Sequence, residues 1–240
     1  MRIALTISLA FAFAAALPAR AADNELTPKE KEDGWKLLFD GKSLDGWMTS
    51  GEKPSRTPVD DGCINPHKCG GYMMVHQEKW ENYTLSVDFK IGKKCNSGVF
   101  IRTATLKPRP GKDVGFNGIE VAIDDTATAG YHDTGALYDL AKPSKNAMKP
   151  AGEWNRLVIT CDGAKIAVEL NGEAVTKADL GEFAKPNLRP DGTAHKFDIA
   201  YKDHPPQRLY RFAGSRFVLL VQEHQAQTAQ VVRFSPFALG

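Results

Sequence analysis

In the stretch GIEVAID, residues 118–124, Ile119, Val121 and Ile123 alternate with Glu120, Ala122 and Asp124. Successive residues of a strand point to opposite faces of its sheet. Glu120 is therefore either a half-exposed acid on a solvated face or a carboxylate with chemistry to perform. The same parity argument collects further groups. YTLSVDFKI (83–91) sets Leu85, Val87, Phe89 and Ile91 against Asp88, and NSGVFIR (96–102) sets Val99 and Ile101 against Asn96, Gly98, Phe100 and Arg102. FVLLVQEH (217–224) closes on Gln222 and His224. If the apolar parity of each strand faces a core, then Asp88, Arg102, Glu120, Gln222 and His224 all point the other way, from four strands. Gathered on one sheet they would offer a base, a cation to stabilise an oxyanion, and hydrogen bonds to a polar ligand.

Each of these residues also has a plainer reading. Arg102 could be a surface arginine or the ion-pair partner of Glu120, and such a pair would hold the carboxylate ionised. His224 ends an apolar strand, where a hydrogen-bonded core histidine is usual. Asn96 and Gly98 could form only a turn or bulge, although Gly98 would also keep the surface low enough for a flat ligand to approach the backbone. Glu120 and His224 are ligand types for one divalent cation, and mixed carboxylate and imidazole ligands leave its identity open.

The elements that must position these groups are strands. Residues 1–21 have the pattern of a secretory signal peptide: Arg2, an apolar run from Ile3 to Leu17, and Ala19-Arg20-Ala21 as a cleavage site. The apolar run is shorter than the ~20 residues needed to span a bilayer, so a membrane anchor is the weaker alternative. The expectation is a periplasmic or secreted protein with no membrane span. Residues 22–33 read as a linker with a short helix. Thr27 is its N-cap, Pro28 its first residue and Glu30 the partner in a capping box; Gly34 ends it. Residues 34–240 then read as one domain. Asp162-Gly163 and Asn171-Gly172 separate three strands between 153 and 177 and are strong hairpin dipeptides. Residues 178–210, rich in Pro, Gly and charge, are too long for a turn and read as functional loops at one rim. Many strands with few helical patterns predict an all-β, two-sheet antiparallel sandwich or jelly roll.

Composition removes several classes. The formal net charge is +2 with acids and bases interspersed, which gives no electrostatic case for nucleic acid. There is no nucleophile elbow, phosphate-binding glycine loop or HExxH helix, and no nucleotide or organic cofactor is expected. Cys63 and Cys69 flank a loop-like run and are expected to form a disulfide in an oxidising compartment. With His67 they could instead be part of a zinc site, though two further ligands at suitable spacing are missing. Trp47 and Trp154 are expected in the core, and Cys161 as a buried thiol.

GWKLLFDGKSLDGW (34–47), NSGVFIR (96–102), GIEVAIDD (118–125), TGALYD (134–139), GEWNRLVIT (152–160), ELNG (169–172) and VQEH (221–224) occur in an order and spacing that resembles the 3-keto-disaccharide hydrolase domain family. The resemblance implies a concanavalin A-like or laminin-G-like jelly roll. It also implies a small carbohydrate substrate and catalytic roles for Glu120, His224 and Arg102. Asn96, Asp88, Asp125, Tyr138 and Gln222 would bind the sugar, Asp125 standing at the offset from Glu120 where the family has an aspartate. The family's glutamine two residues beyond the glutamate is here Ala122.

The chemistry so implied is cleavage of a 3-keto-glycoside. A ketone at C3 acidifies the C2 proton, a base removes it, the enolate expels the C1 leaving group, and water adds to the double bond. Glu120 or His224 could be the base and Arg102 the enolate stabiliser; alternatively, a divalent cation held by Glu120 and His224 could polarise the oxygen. The alternatives are a non-catalytic carbohydrate-binding module on the same fold, and a structural or adhesive domain with its polar residues scattered. An ordinary glycosidase would need two carboxyls at a set separation, for which Asp88 with Glu120 is only a formal pair. The sugar, the aglycone and the oligomeric state stay open.

Overall fold

A computed structural model of the protein describes residues 24–65, 73–204, 211–213 and 216–223. The signal-peptide stretch 1–21, Cys69 and His224 lie outside them. Among the described residues no helix is long and apolar enough to cross a membrane, and no disulfide joins the described cysteines. Cys63 is buried, and its Sγ donates to the Asp61 carbonyl at 3.3 Å.

The α-helix α1 (Pro28–Glu32) is built as its sequence requires. The Thr27 hydroxyl accepts from the Glu30 N–H at 3.1 Å, and the Glu30 carboxylate accepts from the Thr27 N–H at 2.7 Å. The strands that follow are β1 (Trp35–Leu37), β2 (Trp47–Thr49), β3 (Val59–Asp60), β4 (Cys63–Ile64), β5 (Met74–His76), β6 (Tyr83–Lys90), β7 (Asn96–Ile101), β8 (Ile119–Asp124), β9 (Trp154–Asp162), β10 (Lys165–Leu170), β11 (Glu173–Asp179), β12 (Arg211–Ala213) and β13 (Arg216–Glu223). They form two antiparallel sheets. The larger runs β11-β10-β9-β6-β13-β4-β3, with β1 also paired to β13; the smaller runs β2-β5-β12-β7-β8.

Alternation explains why these strands hold together. Leu85, Val87 and Phe89 of β6 and Leu157, Ile159 and Cys161 of β9 meet Val99 and Ile101 of β7 and Ile119, Val121 and Ile123 of β8 in a single buried cluster. Burying such a side chain is worth about 1.5–3 kcal/mol. The two expected hairpins form. Asn171 and Gly172 both take positive φ, at +54° and +83°, and close β10 onto β11. The other turn is shifted by one residue: Asp162 still pairs with Lys165, so Gly163 and Ala164 make the loop.

The opening block of the resemblance is architectural. Asp40 accepts from the N–H groups of Lys42 and Ser43 to close a turn, and the buried Trp47 indole donates to the Leu38 carbonyl at 2.8 Å. Trp154, expected in the core, is only partly buried and carries the Lys90 ammonium 5.1 Å from its ring. Asn155 and Asn171, from EWN and ELNG, bond each other at 2.8 Å and tie both hairpins together. Beyond β11, residues 180–204 are irregular apart from two 3-10 turns and one bridge between Leu188 and Ala194.

Candidate active site

Glu120 is delivered by β8. It stands opposite Phe100 of β7, and the neighbouring pair on the same face is Gly98 with Ala122. Gly98 is what lets the carboxylate lie down on the sheet: a Cβ there would sit 2.3 Å from Glu120 Oε1 and 2.6 Å from its Cγ. The glycine therefore clears space for the acid, rather than for the ligand directly.

The free edge of β8 is taken up by the chain from Gly135 to Tyr138. Ala122 donates to the Ala136 carbonyl and Tyr138 donates to the Glu120 carbonyl, at 2.9 and 2.8 Å. This register puts Tyr138 beside Glu120. His132 stacks on the Tyr138 ring with centroids 4.4 Å apart. Lys196, from the loop after β11, lays its ammonium 4.1 Å from the Tyr138 ring centroid, 5.4 Å from that of Phe116 and 5.3 Å from that of Phe197. Asp113 caps the 3-10 turn Val114–Asn117 that carries Phe116.

Burial dominates the electrostatics of Glu120 and pushes its carboxyl up to about 7; the Lys196 ammonium pulls the other way and Asp113 adds to the rise. The Tyr138 phenol is raised by its own burial, by Glu120 and by Asp139, so it stays protonated and can donate. The arrangement thus holds a carboxylate poised near neutrality, a phenol donor, a cation, and aromatic rings against which a sugar could stack.

Other expected site residues are placed elsewhere. Arg102 does not join Glu120. The pairing of β7 with β8 ends at Ile101, and Arg102 takes φ +52°, so strict alternation stops one residue too early for it. The residue is 1% exposed, and its guanidinium donates from Nη2 to the carbonyl of Gly163, in the turn between β9 and β10, at 2.6 Å. Asp88 sits in the larger sheet opposite Arg156, which donates to it from Nε and Nη2 at 2.7 and 2.6 Å. Gln222 also belongs to the larger sheet, in register with Thr84 and Trp35. Asn96 lies on Glu120's face but four residues along, about 13 Å away at the rise of a strand. Asp125 closes the loop before β7, its Oδ2 accepting from the Lys94 N–H at 2.8 Å. Tyr138 is the expected binding residue that the fold brings against Glu120.

Asp88→Ala accordingly should lower stability by about 1–3 kcal/mol, the worth of charge-assisted hydrogen bonds, and leave turnover untouched. Urea melts and a rate assay on the same preparation decide this; lost turnover at unchanged stability would return Asp88 to the site.

The described residues include only part of the ligand set expected for a divalent cation. No group of three or more His, Cys, Asp or Glu side chains is placed to hold one, and Glu120's companion in the expected ligand set, His224, lies outside them. Sequence reasoning missed Lys196, His132, Phe116 and Asp113. Lys196, His132 and Asp113 come from loops and Phe116 from a 3-10 turn, where no periodicity marks a residue; only the long segment 178–210 pointed toward Lys196.

Comparison with known proteins bears on this site. A family model described as a 3-keto-alpha-glucoside-1,2-lyase-like domain matches residues 34–213. A 3-keto-disaccharide hydrolase of Bacteroides thetaiotaomicron is 28% identical over 196 residues, covering 72% of this chain and 67% of that protein. Two crystal structures of candidate glycosyl hydrolases from Parabacteroides distasonis have the same fold. One, at 1.70 Å resolution, has a TM-score of 0.68 and 22% identity, covering 85% of this chain and 100% of that one. The other, at 2.00 Å, has a TM-score of 0.65 and 24% identity, covering 79% and 99%.

Proposed function

Because the chain belongs to the 3-keto-alpha-glucoside-1,2-lyase-like domain family, we propose that it is an exported enzyme that cleaves 3-keto-glycosides, with Glu120 as the base. The observation that carries this reading is the partly buried Glu120 carboxyl, raised to about 7 and lying over Gly98 beside Tyr138, on whose ring the Lys196 ammonium rests. A general base works best when its pKa is near the working pH. We read the two sheets as the concanavalin-like jelly roll.

In the proposed reaction the Glu120 carboxylate takes the C2 proton, and the C2–H electron pair moves into the enolate of the C3 ketone. Collapse of the enolate forms the C1–C2 double bond and breaks the bond from C1 to the leaving oxygen, which is protonated as it departs. Water then adds across the double bond, hydroxyl to C1 and proton to C2, so that the net change is hydrolysis. The Tyr138 hydroxyl and the Lys196 ammonium are the donors available to the enolate oxygen; they take the role that the sequence suggested for Arg102. A divalent cation would polarise the same oxygen if one were bound. His224 stays a second candidate for the base or a metal ligand.

The test is release of aglycone from a 3-keto-glucoside across pH, with and without chelator. The base must be ionised, so kcat/KM should be level above about pH 7 and fall tenfold per unit below it. An acidic limb near pH 4.5 would mean that the base is an ordinary solvated carboxylate, and loss of activity with chelator would assign the enolate to a metal. Binding of the sugar without any release would leave a carbohydrate-binding module.

A further inference from the structure

Asp139 stands where three parts of the site meet. It follows Tyr138 directly, with φ +56°. From the loop at 187–197, Arg189 donates to the Asp139 carbonyl from Nε at 3.1 Å and from Nη2 at 2.8 Å, and Nη2 also bonds the Asp139 carboxylate. The other carboxylate oxygen accepts from the Lys196 N–H at 2.7 Å. Arg189 lies over Tyr131, with its central carbon 3.8 Å from the ring centroid, and Nη1 donates to the Ala194 carbonyl and to Thr193 Oγ1. The His132 Nε2 is 3.9 Å from the Asp139 carboxylate.

The loop is closed on itself as well. Asn187 donates to the Phe197 carbonyl, His195 to that of Asn187, and Arg189 to that of Thr193, at 2.8, 3.0 and 2.8 Å. It is therefore a stiff unit hung on Asp139 through Arg189, and Lys196 is carried on it. The Arg189 and Asp139 side chains are 8% and 15% exposed. A pair so shielded is not the freely solvated kind that contributes almost nothing.

We propose that Arg189 and Asp139 are positioning residues: their ion pair fixes the loop that holds Lys196 over Tyr138, and thereby sets the charge that faces Glu120. The proposal rests on the reading of Glu120 as the base. The charged groups that face Glu120 are Lys196 from this loop and Asp113 from the cap of the 3-10 turn. Tyr138 faces it as a neutral phenol, with His132 stacked on that ring. If the loop loosens, the nearest cation leaves and the carboxylate becomes harder to ionise.

The test uses the full chain and two readouts: the Glu120 carboxyl titration followed by NMR, and the acidic limb of kcat/KM. Lys196→Met should raise both midpoints by roughly 1 pH unit, the low end of what a nearby opposite charge produces. Arg189→Met should raise them by a similar amount, and the double variant should move them no further, because the second change removes nothing that the first left in place. Arg189→Lys should recover part of the shift. Asp139→Asn, whose side chain tolerates the positive φ, repeats the test if Arg189→Met does not fold. An Arg189→Met protein that melts earlier but keeps the parent's Glu120 midpoint would overturn the proposal, as would shifts that add in the double variant. A parent inert to 3-keto-glycosides would sink the functional reading alone, since the titration is read without turnover.

Discussion

Glu120→Gln should lower turnover of a 3-keto-glycoside by about 10²–10⁴-fold, the usual contribution of a general base, in a protein that still folds. The exchange keeps size and hydrogen-bonding capacity and removes only the charge. Ile119, Val121 and Ile123, on the other face of β8, stay buried in the core. The same substitution has a thermodynamic signature. Burial holds the folded carboxyl near 7, against an ordinary value near 4.5. Between those values the folded state binds more protons than the unfolded one, so this group makes the parent less stable as pH rises from about 4.5 to 7. Glutamine carries no such cost. Above pH 7 the variant should be the more stable protein, by about 1–3 kcal/mol, and the difference should vanish near pH 4.5. Paired urea melts at pH 5 and 8 check it. Near-normal turnover in the variant would move the base to another residue, and equal stability at both pH values would mean that the carboxylate is solvated.

Gly98→Ala should cost about ten- to a hundredfold in turnover with little change in stability. A Cβ at this position would meet Glu120 Oε1, Cγ and Cδ at 2.3, 2.6 and 2.8 Å. Real Cβ atoms do not approach that closely, so Glu120 must swing off the sheet. The backbone has no objection to alanine, which Gly98 does not oppose with a positive φ. A displaced carboxylate becomes better solvated, and its pKa falls back toward the ordinary range because burial was the main cause of its rise. The acidic limb of the pH profile should therefore move down, opposite to its movement when Lys196 is removed. An unshifted limb with full activity would show that the carboxylate need not lie over Gly98.

Parity recovered the core and part of the site, and the places where it failed have physical reasons. It identified the buried faces of β6, β7 and β8 and set Glu120, Gly98 and Phe100 on the opposite parity, which β7 and β8 share because they pair in register. It put Asp88 and Gln222 with them wrongly. Alternation says which side of a sheet a residue occupies, but not which sheet, and β6 and β13 belong to the larger one. Arg102 failed differently, since one residue at positive φ beyond the end of β7 is enough to turn a side chain inward. The hairpins and the capping box were legible because Asn-Gly, Asp-Gly and Thr-x-x-Glu carry their own local geometry. Lys196 and His132 were not. They reach Tyr138 through loops whose course is set by tertiary bonds such as those of Arg189 to Asp139, which leave no periodic trace.

Cleavage of a 3-keto-glucoside in D2O tests whether the glycosidic bond is broken through loss of the C2 proton. Proton and carbon NMR would follow the released sugar, with protein-free and Glu120→Gln samples as controls for spontaneous exchange. One solvent deuteron is expected at C2 for each bond cleaved by the parent, because hydration of the double bond delivers a proton from water to that carbon. Aglycone released at the same rate with the original C2 proton retained would contradict this route.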